Sequence, residues 1–531
     1  KDMVRQLLHA HEYWSIKGLK VDFVILNLQE TAYTQPLQDS IRDIIATSHA
    51  RDKQNKSGGV FLYNKSTMEK EDIDLLMAIS RLVIEGDKGL VVNQIKTEKN
   101  EKKQMELLPV INRTCVFKSY KFPENKLYFF NDIGGFDLEN DQYVIRLKDG
   151  RNTPAPWINV IANRNFGFHV SESGSAYTWY KNSRENKITT WSNDWVSDIP
   201  AEAVYLRDEE SGDIWSITPK PIRGNGEYII EHGFGYSNFK HEAYGIIGEM
   251  TMFVPKDDNV KLCKVTLKNN STMDRRLSLT YYAQTVLGVV PQHTSIHIAT
   301  SLNNNKKYIS AQNLYSEHFG NLHAYLKIVG GKEESFTGDR KEFIGRGKSI
   351  ENPEALKRVR LSNTTGGGYD PCLCENVKFT IKQGEEQTLV IMLGEDESID
   401  AVEKVIGKYE DIKKVEEELN IVKDYWRNLL HTIKVKTPDK TMDIMLNGWL
   451  LYQTIVCRIW ARSAFYQSGG AYGFRDQLQD MMAVAYVDPN MTREHIVYSA
   501  SRQFLEGDVQ HWWHPGVDSG IRTRFSDDLL W

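Results

Sequence analysis

Apolar and polar residues alternate with three different rhythms along the chain. Over Met3–Leu19 the apolar groups Val4, Leu7, Leu8, Trp14 and Ile16, with His11, lie largely on one side of a helix, and Gly18 supplies its stop. Val21–Leu28 is short and almost wholly apolar, which predicts a buried strand. Leu37–Thr47 and Ile73–Glu85 have a helical period, and Gly59–Tyr63 reads as a second strand. This helix–strand–helix–strand–helix order over residues 1–96 resembles half of a doubly wound sheet. No Gly-x-Gly-x-x-Gly follows the first strand, so a nucleotide site is disfavoured and the segment reads as structural. The Lys-, Glu- and Gln-rich run Thr97–Glu106 then reads as a linker.

From about Leu107 the period drops to two. Tyr143–Leu147, Gly226–Ile230, Val260–Leu267, Leu277–Ala283 and Val377–Ile381 alternate, and they are punctuated by turns such as Asp149-Gly150, Ser211-Gly212 and Asn269-Asn270. A large antiparallel β-sandwich is expected over 107–395. Within it, Phe166–Asp198 strings Tyr177, Trp179, Trp191 and Trp195 among Ser, Asn, Glu and Arg. One reading makes this a ligand-binding loop and a lid; the other makes it an aromatic strand pair with Ser-rich turns.

The helical rhythm returns at Ile399–Leu430, a linker over 396–435. Asp439–Ala464 is apolar nearly all round and is expected to be buried on every side. Phe474–Tyr486 and Thr492–Glu506 follow as helices, suggesting a helical hairpin array from 436 to 531. The architecture expected is multidomain α+β.

Composition narrows the function. A formal net charge of -5, with no basic stripe, argues against a nucleic-acid partner. No apolar run is long enough to span a bilayer and no signal peptide opens the chain, so a cytoplasmic protein is expected. Five scattered cysteines fit a reduced compartment. Cys372 and Cys374 stand as Cys-x-Cys, which is not a zinc-ribbon spacing, and no metal is expected there. The chain starts without Met and stops inside a dense motif at Trp531, so a larger polypeptide is expected around it.

That motif is Tyr472–Trp531. No other stretch gathers Trp, Arg, His and Asp so closely. Flat indoles beside carboxylates and guanidiniums suit a ligand with apolar ring faces and many hydroxyls, namely a sugar, with room for an anion. Asp476 and Asp480 are four apart, beside Arg475 and Gln479; they could accept sugar hydroxyls or partner the helix dipole. His511-Trp512-Trp513-His514 reads as a packed wall and not as a zinc site. Arg522 and Arg524 alternate, so they could hold a phosphate or pair with Asp527 or Asp528. No carboxyl in the stretch identifies itself as a general acid.

Taken together, Ala471–Asp480 (AYGFRDQLQD) and Gly507–Pro515 (GDVQHWWHP), following a sandwich and a helical linker, resemble glycoside hydrolase family 94. Phe166–Gly174 (FGFHVSESG), Asn182–Asn186 and Tyr205–Glu209 are most similar to the branch acting on β-1,2-glucan, which includes 1,2-β-oligoglucan phosphorylases and the phosphorylase-like region of cyclic β-1,2-glucan synthases. The resemblance implies that residues 436–531 begin an (α/α)6 barrel. It also implies inverting, reversible phosphorolysis of a β-glucoside to α-glucose 1-phosphate, with inorganic phosphate as co-substrate and no other cofactor. Family members often form homodimers, and the synthases place such a region at the cytoplasmic face of a membrane.

By the same resemblance Asp476 matches a carboxylate holding the glucosyl unit, with Arg475 beside it. Arg462 matches a phosphate-binding arginine, and Gln510, His511, Trp512, Trp513 and the Arg522 stretch match the active-site wall. Tyr177 and Trp179 are expected above it. There are two departures. Family members carry an arginine six residues before the Asp of the Phe-Arg-Asp element, where this chain has Gly470. Their general acid lies in a Gly-Asp-Trp-Asn-Asp element that this chain lacks, so the acid is expected beyond Trp531 and this stretch alone is expected to be inactive. The alternative is a non-catalytic module that binds glucan or sets its length.

Overall fold

The computed structural model describes residues 1–30, 35–95, 105–111, 115–124, 126–517 and 519–531. Most of the linker expected at Thr97–Glu106 lies outside them. The chain forms two compact units, Lys1–Gln104 and Met105–Trp531.

In the first unit, helices Asp2–Ile16 and Pro36–Ala46 pack on a parallel pair of strands, Phe23–Asn27 and Val60–Asn64. Leu8, Ile25, Ile41, Ile45 and Val60 form the core. The first strand is only half buried, with Ile25 and Asn27 inside. The buried Asn27 amide donates to Gln38 Oε1 at 2.8 Å, which satisfies both side chains.

The second unit is built on two antiparallel sheets. One has ten strands; its middle runs Pro-free through Val260–Asn269, Ile246–Phe253, Tyr236–Ala243 and Tyr228–Gly233. The other has nine strands centred on the long strand Arg275–Gly288, which pairs with Pro371–Ile381 on one side and Glu202–Asp208 on the other. The alternation read from the sequence sets the packing. Ile230, Phe239, Met250 and Val265 of the first sheet meet Phe166, Phe168, Leu279 and Tyr281 of the second in one buried core.

Helices Ile399–Tyr409 and Ile412–Leu430 cover part of the opposite face of the ten-stranded sheet. Val402, Ile406, Val422 and Trp426 pack on Phe253, Leu262 and Met392 there. The same cluster takes in Leu451, Tyr452, Ile455 and Ile459 of the next helix, which runs from Lys440 to Trp460. That helix is buried on this side only. Met442 is 51% exposed, and Leu446 and Leu450 are also exposed, because no described element packs against that face. The expectation of burial all round is therefore corrected.

Most of the Phe166–Asp198 stretch is also not a loop, although residues 190–198 lie outside the strands. Phe166–Ser171, Ala176–Tyr180 and Lys187–Thr189 are strands of the nine-stranded sheet. The aromatic strand pair is the right reading for Tyr177 and Trp179, whereas Trp191 and Trp195 lie in the connection that follows.

Glu395, on the strand Glu386–Asp396, accepts from Asn186 Nδ2 at 2.6 Å. Burial pushes its carboxyl up to about 8, against 4.5 for a free side chain. The folded value lies above the unfolded one, so this group's contribution is complete below the ordinary carboxylate range and is lost as pH rises toward 8. Glu395→Gln keeps a neutral acceptor in place. Its unfolding midpoint should fall less than wild type between pH 5 and pH 8; parallel curves would refute the assignment.

Candidate functional site

The site begins at the end of the Lys440–Trp460 helix. Two wide turns, Met445–Trp449 and Thr454–Trp460, close i→i+5 and shift the last turn relative to a regular helix. Arg458 and Arg462 emerge there. Arg462 has φ +46°, a left-handed backbone that a residue with a side chain adopts only under constraint.

The constraint comes from the sandwich. Ser183 Oγ donates to Ala461 O at 2.5 Å, Tyr177 OH and Ser463 Oγ share a hydrogen bond, and Asn182 Nδ2 donates to Gly470 O at 2.9 Å. Gly469 and Gly470 both donate their backbone N–H to Arg462 O. Tyr177 and Trp179 are therefore corrected as surface residues. Both are fully inside, and Tyr177 braces the turn that carries Arg462. Of the aromatic residues of that stretch, Trp195 alone is exposed; its ring is tilted against Phe465 with centroids 5.3 Å apart.

Arg462 donates Nε–H to Ala471 O at 2.7 Å and Nη1–H to Arg458 O at 3.2 Å. Arg458 donates to Asp480 Oδ1 at 2.7 Å, while Arg462 Nη1 is 3.9 Å from Asp480 Oδ2. Two guanidiniums thus share one close carboxylate, and Asp476 is a second, more distant negative charge on both. Burial, and then the neighbouring Arg458, push the Arg462 guanidinium below its usual range. A charge held this way is best relieved by an incoming anion.

Asp476 and Asp480 take different roles, although both lie on the helix Phe474–Met482. Asp480 is mostly buried against the arginines. Asp476 sits in the first turn, over half exposed, with Arg475 Nη1 at 3.6 Å as its nearest cation. Arg475 Nε also reaches Asp527 at 3.5 Å, and its guanidinium lies 5.4 Å from the Trp531 ring.

The opposite wall is a small sheet of Tyr472–Gly473, Gln510–Trp513 and Gly520–Arg522. A register shift between Gln510 and Trp512 breaks strict alternation, and His511 and Trp512 both reach the same cleft. His511 Nδ1 is hydrogen-bonded to Asp528 Oδ2 at 2.6 Å; Asp528 is almost wholly buried, and this fixes the ring's orientation.

Three other expectations are corrected here. Trp513 is fully buried against Phe474 and Val509 and donates Nε1–H to Tyr498 OH at 3.0 Å. Gln510 lies over Gly520 and does not line the cleft. Arg522 is held by Asp508 at 2.6 Å and by Glu506 at 2.9 Å, so two carboxylates already occupy the guanidinium proposed for phosphate.

What remains is a cleft of about 500 Å³ lined by Arg462, Arg475, Asp476, His511, Trp512 and Phe525, with Asp527 and Asp528. It offers a flat indole, carboxylate acceptors and a cationic corner in one space. Arg458 was missed from sequence, and Asp528 was read only as a partner for Arg522 and Arg524 and not for His511. The four-residue spacing from Arg458 to Arg462 was a usable signal, whereas the His511–Asp528 pairing spans 17 residues and had none. Among the described residues no group of three His, Cys, Asp or Glu is arranged to hold a metal ion, and no helix is long and apolar enough to cross a membrane.

Residues 141–412 match the family model for the glycosyl hydrolase 94 supersandwich domain, and residues 425–531 match that for the glycosyl hydrolase 94 superfamily catalytic domain. The chain is 35% identical to the cyclic beta-(1,2)-glucan synthase NdvB of Rhizobium meliloti, along the whole of this chain but only 19% of that protein. It is 29% identical to the N,N'-diacetylchitobiose phosphorylase of Vibrio furnissii over 75% of this chain and 53% of that one. It is 23% identical to the solabiose phosphorylase of Paenibacillus borealis, over 75% and 51%. The chain thus spans about half the length of these phosphorylases and a fifth of the synthase.

Proposed function

The chain belongs to glycoside hydrolase family 94, and from that premise we propose that its cleft holds the glucosyl unit of a β-1,2-linked glucan or oligosaccharide beside a site for inorganic phosphate. The observation that carries this reading is the sharing of Asp480 by Arg458 and Arg462 within reach of Asp476. In the proposed reaction a phosphate oxygen forms the bond to the anomeric carbon as the glycosidic C–O bond breaks on the opposite face. The departing oxygen takes a proton, and α-glucose 1-phosphate is released. Arg462 and Arg458 offset the phosphate charge. Asp476 accepts from sugar hydroxyls, Trp512 offers its face to the ring, and Asp528 holds His511 in one orientation. We assign the proton donor to none of the cleft carboxylates, and expect it beyond Trp531 in a larger polypeptide.

A second reading, a module that binds glucan without cleaving it, is favoured by one observation. Gly470 stands where an arginine is expected, and its surroundings leave no room for a side chain. Two measurements separate the readings. Asp476→Asn and Trp512→Ala should each weaken binding of β-1,2-gluco-oligosaccharides about tenfold, roughly the loss of one good contact; unchanged affinity in both would remove the cleft as the glucan site. Glucose 1-phosphate release from the same oligosaccharides plus phosphate should occur with the full-length polypeptide and not with this chain. Release by neither would favour the module.

A further inference from the structure

The outer face of the ten-stranded sheet holds a second cleft, of about 570 Å³, that shares no lining residue with the first. Its floor is set by register. Val144, Glu231, Asn238, Thr251 and Lys264 are successive cross-strand neighbours over five strands, and Ile229, Lys240 and Glu249 form a parallel row beside them. At about 4.8 Å between strands the first row runs roughly 19 Å, long enough for several sugar units. The helix Ile412–Leu430 supplies one wall through Leu419, Lys423 and Arg427.

An outward sheet face is ordinarily a loosely solvated surface. This one is ordered. Glu231 is 7% exposed and Asn238 6%. Both amide hydrogens of Asn238 are committed, one to Glu231 at 2.9 Å and one to Glu249 at 2.8 Å, and its carbonyl accepts from Thr251 Oγ1 at 3.1 Å. Asn238 is thereby fully used, and what it holds in place for a ligand is the Glu231 and Glu249 carboxylates, which are fixed acceptors.

The charges also answer one another. Lys240 donates to Glu231 at 2.8 Å, Arg146 to Glu227 at 2.8 Å and Lys264 to Glu416 at 2.5 Å. Lys423 and Arg427 on the helical wall and Asp141 beside the floor add further charges of both signs, so the cleft carries charged donors and acceptors together. Tyr236 is buried beneath this end of the floor, and Lys423 Nζ lies 4.3 Å from its ring centroid, which holds the ammonium over the cleft. Fixed carboxylate acceptors beside lysine and arginine donors suit a polyhydroxylated chain.

We infer that this cleft is a second, non-catalytic glucan-binding site, which holds a distant part of the polymer whose end occupies the first cleft. The inference rests on the glucan reading above. It is tested by titrating the full chain with β-1,2-gluco-oligosaccharides and counting sites by calorimetry, with NMR to follow each cleft. Wild type should bind at two sites. Lys240→Ala and Glu249→Ala, both in the second row of the floor, should each weaken one site about tenfold and leave the other. Asp476→Ala should do the converse. A single site lost with Asp476→Ala and indifferent to Lys240 and Glu249 would overturn this inference while leaving the glucan reading intact. Two sites that both ignore Lys240 and Glu249 would also overturn it. No binding at either cleft would overturn the two together.

Discussion

Replacing Arg462 by glycine in the full-length polypeptide should lower phosphorolysis, measured as kcat/KM for phosphate, by about 10²- to 10³-fold, the usual consequence of removing one preorganised donor from a site of developing charge. The fold should be nearly indifferent to the same change. At φ +46° the arginine pays the left-handed penalty of about 1–2 kcal/mol, which glycine avoids. Against that gain stand the extra freedom of glycine in the unfolded chain, about 0.5–1 kcal/mol, and the lost hydrogen bond from Arg462 Nε to Ala471 O, about 1 kcal/mol. These offset one another. Asp480 keeps Arg458 as its partner, so no buried carboxylate is stranded. Arg462→Ala is the sharper comparison: it loses the same charge but keeps the strained backbone, and should be less stable than Arg462→Gly. Unchanged phosphate kinetics in Arg462→Gly would remove this residue from the anion site. A collapse of stability in Arg462→Gly would show that the arginine's role is to hold the turn.

The elements of this chain were legible where one physical signal dominated. Period-two alternation in Val260–Leu267 and Leu277–Ala283 sits on strands that run longer at both ends or one, because pairing with Glu386–Asp396 and Pro371–Ile381 extends them past the apolar core. The cleft was legible in part. Arg462, Arg475, Asp476, His511 and Trp512 do converge, since most of them lie close together in sequence on one helix and one short sheet. The errors came from side-chain direction. Trp513 and Trp512 are adjacent, and only the register of the small sheet decides which faces the cleft and which faces Tyr498. Arg522 looked available because its partners Asp508 and Glu506 lie on a turn whose path the sequence does not reveal. Tyr177 and Trp179 looked like loop aromatics, but a stretch rich in Ser and Asn can be buried when each polar group finds a backbone partner, as Asn182 and Ser183 do.

Asn182 also governs the last expected result, which concerns Gly470. Gly470→Ala should destabilise the larger unit by about 2–5 kcal/mol, and Gly470→Arg by at least as much. Two terms add. The backbone has φ +62°, costing any side-chain-bearing residue about 1–2 kcal/mol. A Cβ there would lie 2.3 Å from Asn182 Oδ1 and 2.8 Å from Arg184 Cβ, overpacking worth about 1–3 kcal/mol. Asn182 cannot easily yield. Its carbonyl oxygen accepts from the backbone of Arg184 and Glu185, both at 3.0 Å, and its amide donates to Gly470 O and Pro515 O. The same amide anchors the turn bearing Arg462, so the damage should reach phosphate use as well as stability. Placing an arginine at this position is therefore expected to lose function. Denaturant unfolding of Gly470→Ala, Asn182→Ala and the double variant would measure the coupling: if the clash is the cause, the double variant costs less than the two single changes together. A stable Gly470→Arg chain that binds glucan more tightly would mean that the Gly470 turn opens readily, and would reverse the conclusion that this position excludes a side chain.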